Sequence, residues 1–203
     1  MKMQSLLMLL VMLILALVGT YYSSVEQNAL GAITRFMGMG TFFLLCISLI
    51  IGPLAVIDNK FLQLIEARRS IGLSAFVFLI MHFYLVISAY FNYKFAFLTA
   101  RIDNLTGLIA FVLFIVLALT SCDYAIKKLG SGLWKKIQYL TYIAFVFGFY
   151  HYATKASGPS ITGIEFMPWN WAELFLILLA FATIALQIVG IYLRKKRNSA
   201  VKK

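Results

Sequence analysis

Acidic side chains are scarce in this sequence: seven Asp and Glu stand against eighteen Lys and Arg in 203 residues. Charge of either sign is thin, 12% of the chain, and no polar stretch is long enough to fold as a separate water-soluble domain. Two cysteines, Cys46 and Cys122, cannot make an iron–sulfur or zinc motif. Neither falls in an oxidising aqueous space, so a disulfide is not expected. No G-x-G-x-x-G follows a strand pattern and no P-loop occurs, which excludes a dinucleotide-binding domain within this chain. MGMG at 37–40 opens an apolar helix, where glycine serves packing. Internal repeats and low-complexity tracts are not evident. Histidine occurs only twice, as His82 and His151.

What fills the chain is apolar. Hydrophobic residues make up 63%, aromatics 16%, and the mean hydropathy is +0.92, far outside the range of a soluble domain. A helix needs about 20 apolar residues to cross roughly 30 Å of hydrocarbon. Runs of that kind are found near 5–22, 37–57, 71–92, 104–121, 137–154 and 172–193. The expected fold is all-α, a polytopic membrane protein with one six-helix transmembrane bundle over residues 1–203. The first run follows Lys2 and lacks a convincing A-x-A site near TYYSS, so it reads as an uncleaved anchor rather than a signal peptide.

Positive charge sorts by side. In a six-span topology the N-terminus, the second and fourth loops and the C-terminal tail share a face. They hold Lys2; Lys60, Arg68 and Arg69; Lys127, Lys128, Lys135 and Lys136; and Arg194, Lys195, Lys196, Arg197, Lys202 and Lys203, fourteen of the eighteen basic residues. The other face has Arg35, Lys94, Arg101 and Lys155. The asymmetry predicts cytoplasmic N and C termini. The basic tail, 194–203, reads as an anchor to anionic membrane lipids rather than a nucleic-acid contact. The outward loop 153–173, with Trp169 and Trp171, reads as an aromatic belt over a connection and is also the roomiest place for an outer partner.

The two histidines fall inside spans. His82 lies about 16 Å along its helix and His151 about 20 Å along another that enters from the same side, at 1.5 Å per residue. Two imidazoles at one depth on parallel helices suit axial ligation of haem iron. A proton relay, or histidines satisfied within the bundle, is the alternative reading. Small residues at regular offsets, Gly72 and Ala75 before His82 and Ala144 and Gly148 before His151, make room for a flat macrocycle or for close helix packing.

Arg68-Arg69-Ser70-Ile71-Gly72-Leu73 ahead of His82, LALTS at 117–121, Leu129-Gly130, Trp134, Tyr142 and His151 come in an order that resembles the ferric-reductase-like transmembrane domain, and within it the MsrQ (YedZ) group. The resemblance covers about 37–155. It implies a six-helix haem b protein of the bacterial inner membrane, with His82 and His151 as haem ligands; because the chain has only these two histidines, one haem per chain is expected. It also implies an electron-transfer subunit rather than a complete enzyme. The donor would be a quinol or a flavin reductase, and the acceptor a periplasmic-side redox partner, in MsrQ a molybdoenzyme that repairs methionine sulfoxide. Where the family pattern has a further histidine, this chain has Gln138, a poor iron ligand, which speaks against a second haem. The competing function is an intramembrane proton or solute transporter working through His82 and His151.

Overall fold

The computed structural model describes residues 7, 11–20, 29–156 and 171–201, and all regular structure among them is helical. The helices are α1 (Val11–Thr20), α2 (Ala29–Ile57), α3 (Ile65–Leu85), α4 (Phe97–Ala100), α5 (Ile102–Leu119), α6 (Asp123–Gln138), α7 (Leu140–Ala156) and α8 (Trp171–Val201). A 3-10 segment, Asn59–Leu64, leads into α3, and a π-helical turn, Val86–Tyr90, ends it. Four described segments are long and apolar enough to cross a membrane: Ala29–Ile57, Asn59–Tyr90, Ile102–Leu119 and Trp171–Ala200. The fifth expected span is the 17-residue α7. The first is described as a helix over Val11–Thr20, and most of the outward loop with Trp169 lies outside the described residues.

The interior is organised around α2. It is apolar on all sides, and a helix of that kind is stable only when surrounded. Phe42, Phe43, Leu44, Leu45, Cys46 and Leu49 are buried where α3 and α8 flank it. The second packed pair is α5 with α7. Phe42 joins the two pairs, stacking on Phe145 at 5.6 Å and on Tyr152 at 5.0 Å between ring centres. Offset aromatic pairs of this kind add about 0.5–1.5 kcal/mol beyond the area they bury.

Helix α6 is different. It buries none of its side chains and carries Lys127, Lys128, Lys135 and Lys136, the pattern of a helix lying in the membrane interface. Gly130 breaks it with φ +73° and ψ 155°, a conformation essentially reserved for glycine. Trp134 donates to the Thr120 carbonyl at 2.9 Å, and Gln138 reaches the Thr120 hydroxyl at 3.4 Å. The residue that replaces the expected histidine therefore ties α6 to the end of α5.

Ion pairs mark the two ends of the bundle. At one end Arg69 of α3 meets Asp123 of α6 at 2.6 Å, and the hydrogen bond from Arg69, with its charge, holds the exposed Asp123 carboxyl below its ordinary range. At the other, Lys155 and Arg101 meet Asp103 at 2.7 and 3.0 Å, and Arg35 approaches Glu173 at 3.9 Å. Three of the four basic residues expected on the less basic face are thus offset by two buried carboxylates, Asp103 and Glu173.

Candidate functional site

His82 and His151 come together. Their ring centres are 6.5 Å apart with the planes 72° to one another, although they lie on helices whose main packing partners are α2 for α3 and α5 for α7. Each ring is held by its partner helix in the same way. His82 Nδ1 is 2.9 Å from the Thr34 carbonyl of α2, and His151 Nδ1 is 2.7 Å from the Asp103 carbonyl of α5. A carbonyl can only accept, so Nδ1 carries a proton in both rings, and in the neutral imidazole Nε2 is then the nitrogen with the lone pair.

One helical turn beyond each carbonyl is a glycine under the ring. A Cβ on Gly38 would lie 2.9 Å from His82 Cε1, and one on Gly107 would lie 2.7 Å from His151 Nδ1. No side chain fits at either place. Gly40 makes a third such contact, with a Cβ position 2.7 Å from Phe78. The glycines of MGMG therefore serve close packing, as the apolar helix around them suggests, and one of them seats a histidine.

The two clamps form a repeat, which corrects the impression of a chain without one. In both, 48 residues separate histidine from the carbonyl that accepts its proton. Ala75-Phe76-Val77-Phe78 precedes His82 as Ala144-Phe145-Val146-Phe147 precedes His151, at the same distance. Both stretches are apolar, so hydropathy does not set them off from their surroundings; the equivalent contacts do.

The small residues near the histidines have separate environments. Ala75 and Ala144 are fully buried in the core. A Cβ on Gly72 would meet Ser48 Oγ of α2 at 3.6 Å, ordinary contact, whereas Gly148 has nothing within 4 Å. The residues that immediately support the rings, Thr34, Gly38, Asp103 and Gly107, are not singled out by the sequence pattern. Asp103 is the most connected. Its carboxylate holds Lys155, Arg101 and the Asn104 N–H, while its carbonyl accepts from His151 and from Thr106 Oγ1 at 2.9 Å. The signal available in sequence was a carboxylate at the start of an apolar span, one turn before a glycine.

Chemically, the arrangement brings two imidazoles to 6.5 Å of one another, each tethered through Nδ1. Among the described residues, no cluster of three or more His, Cys, Asp or Glu side chains forms a metal site. The fold and site together define a membrane helix bundle with a paired-histidine centre. A profile of the ferric reductase like transmembrane component matches residues 37–149, more than half of the chain, and the protein belongs to that family. It is similar to the protein-methionine-sulfoxide reductase heme-binding subunit MsrQ of Herminiimonas arsenicoxydans, 34% identical over 137 residues, 66% of this chain and 62% of the relative. MsrQ of Pasteurella multocida is 25% identical over 183 residues, 86% of this chain and 83% of that protein. The magnetosome protein MamZ of Paramagnetospirillum magneticum is 34% identical over 128 residues, 59% of this chain but 19% of MamZ. This chain spans less than two thirds of the length of the first and last of these.

Proposed function

We propose that the protein is a haem b-bearing electron-transfer subunit of a bacterial inner-membrane oxidoreductase, with His82 and His151 as the two axial ligands of one haem per chain. The observation that carries this reading is the pair of tethered imidazoles. Two imidazoles that shared one metal ion at about 2 Å each would have their ring centres roughly 6 Å apart. The observed 6.5 Å suits such a pair. The name of the MsrQ relatives, a heme-binding subunit, points the same way.

Haem held there supplies one-electron transfer. The protein's part is orientation and environment. The carbonyls of Thr34 and Asp103 fix the tautomer and aim of each ring and make Nε2 more basic. Phe83, next to His82 in the chain, stacks on Phe111, and Tyr152, next to His151, stacks on Phe42; apolar surroundings of this kind limit water and its dielectric, which tunes a redox potential. Electrons come from a quinol or a flavin reductase and leave to a periplasmic-side redox partner, as the MsrQ likeness suggests. Six spans with both termini cytoplasmic fit this route: Arg69, Asp123 and Arg194 gather at the basic end, while Arg35, Arg101 and Lys155 lie at the other.

The transporter alternative has no supporting observation. The buried carboxylates among the described residues, Asp103 and Glu173, approach basic side chains at the end of the bundle and form no chain through it. A reduced-minus-oxidised absorbance spectrum of the purified protein tests the proposal, with b-type bands expected and one haem per chain by pyridine haemochrome. Absence of those bands after expression with ample haem refutes it.

A further inference from the structure

The paired arginines at the start of α3 have different fates. Arg69 is matched by Asp123 at 2.6 Å. Arg68 turns inward toward Gly52 of α2, where a Cβ would lie 3.4 Å from its guanidinium. Arg194 of α8 reaches the same point from another side, at 3.9 Å. The two guanidinium groups are therefore no further apart than the sum of those distances, close enough to repel. Among the described residues neither has a carboxylate partner.

Among the described residues, the surroundings supply no negative charge. Arg68 has the Tyr142 hydroxyl beside it. That hydroxyl donates to Gln187 Oε1 at 3.2 Å, and Gln187 Nε2 donates to the Leu49 carbonyl at 2.7 Å. Ser48 Oγ donates to the Arg68 carbonyl at 3.2 Å, which fixes the backbone that presents the side chain. Arg68 is half-buried and Arg194 exposed, so two like charges meet at the membrane's edge with only neutral groups beside Arg68, a repulsion that an anion between them would relieve. Arginine suits this task, because its planar fork gives oxyanions charge-assisted hydrogen bonds of about 2.7–2.9 Å.

We propose that Arg68 and Arg194, converging over Gly52, form a binding site for a phosphate oxyanion. The location favours the headgroup phosphate of an anionic lipid in the leaflet that meets the basic tail, with free phosphate as the other source of the same chemistry. The site is independent of the histidine pair. His82 lies about 21 Å further along α3, at 1.5 Å per residue.

The test uses the full chain in an uncharged detergent and follows thermal unfolding. Short-chain phosphatidylglycerol is titrated in one arm, a phosphate-free glycolipid of equal chain length in a second, and inorganic phosphate against chloride of matched ionic strength in a third. Stabilisation by phosphatidylglycerol alone assigns a lipid site, and stabilisation by inorganic phosphate as well assigns a general oxyanion site. Arg68→Gln and Arg194→Gln should each weaken the apparent affinity about tenfold, the loss of a charge-assisted contact. The tail variant Lys195→Gln/Lys196→Gln should stay within about twofold of the parent. Arg194 is exposed, so its variant reports even if Arg68→Gln does not fold. No stabilisation by either phosphate compound, or a tail variant that weakens as much as the arginine variants, overturns the site.

Discussion

His151 donates its Nδ1–H to the carbonyl of Asp103 at 2.7 Å, and the carboxylate of that same aspartate holds Lys155, one turn further along the histidine's own helix, at 2.7 Å. One residue of α5 thereby grips α7 at two successive turns. Asp103 is buried but Lys155 and Arg101 are about half exposed, so removing the carboxylate costs about the 1.5–3 kcal/mol of a charge-assisted hydrogen bond rather than that of a stranded buried charge. Asp103→Ala should show a loss of that order in thermal unfolding. Lys155→Ala should lose less, since Arg101 still offsets the carboxylate at 3.0 Å. Equal losses would contradict the central place of Asp103.

The glycines under the rings give a sharper contrast. Gly38→Ala and Gly107→Ala put a methyl at 2.9 and 2.7 Å from an imidazole atom, so each must push its ring off the carbonyl that orients it. Both should lower haem content or shift the absorbance bands. Gly148→Ala, with nothing within 4 Å, should leave the spectrum unchanged. A spectrum altered only by the Gly148 substitution would reverse the assignment of supporting residues.

His82→Ala and His151→Ala should each abolish six-coordinate bis-histidine haem while the protein still inserts, because the apolar spans are untouched. Haem content per protein and membrane fractionation read the two halves of this expectation. Normal haem content in both variants would end the ligand assignment.

Gly130 and Gly132 separate conformational strain from crowding. A methyl added at either would meet nothing within 4 Å, yet Gly130 alone has a positive φ, +73°. Gly130→Ala should destabilise by about 1–3 kcal/mol, the cost of a residue held in a glycine-only region. Gly132→Ala should be neutral or slightly stabilising by helix propensity. Thermal unfolding of the two variants checks the pair.

Topology is open to reporter fusions. With the basic residues gathered at one end, tags at either terminus should report a cytoplasmic location. A C-terminal reporter active in the periplasm would invert the bundle and move the acceptor to the opposite side.

Much of this was written in the residue pattern. Hydropathy determines that the chain belongs in a membrane, and apolar runs of about 20 residues suit helices, which satisfy the backbone's hydrogen bonds within one segment where lipid offers no partner. Helical rise alone puts His82 and His151 at one depth. Neighbours across helices are another matter. Thr34, Gly38, Asp103 and Gly107 lie far from the histidines in sequence, and their contacts depend on which apolar face of α2 meets α3 and which face of α5 meets α7. Those faces are hydrophobic all round, so no moment marks the buried side. Arg68 and Arg69 are adjacent and chemically alike, yet successive positions on a helix point in different directions, and packing sends one to Asp123 and the other toward Arg194. The sequence by itself determined the solvent, the helices and the pair of imidazoles. The carbonyls and glycines that aim those imidazoles, and the pairing of the arginines, were decided by tertiary packing, because close approach between apolar helices is a matter of shape that composition does not encode.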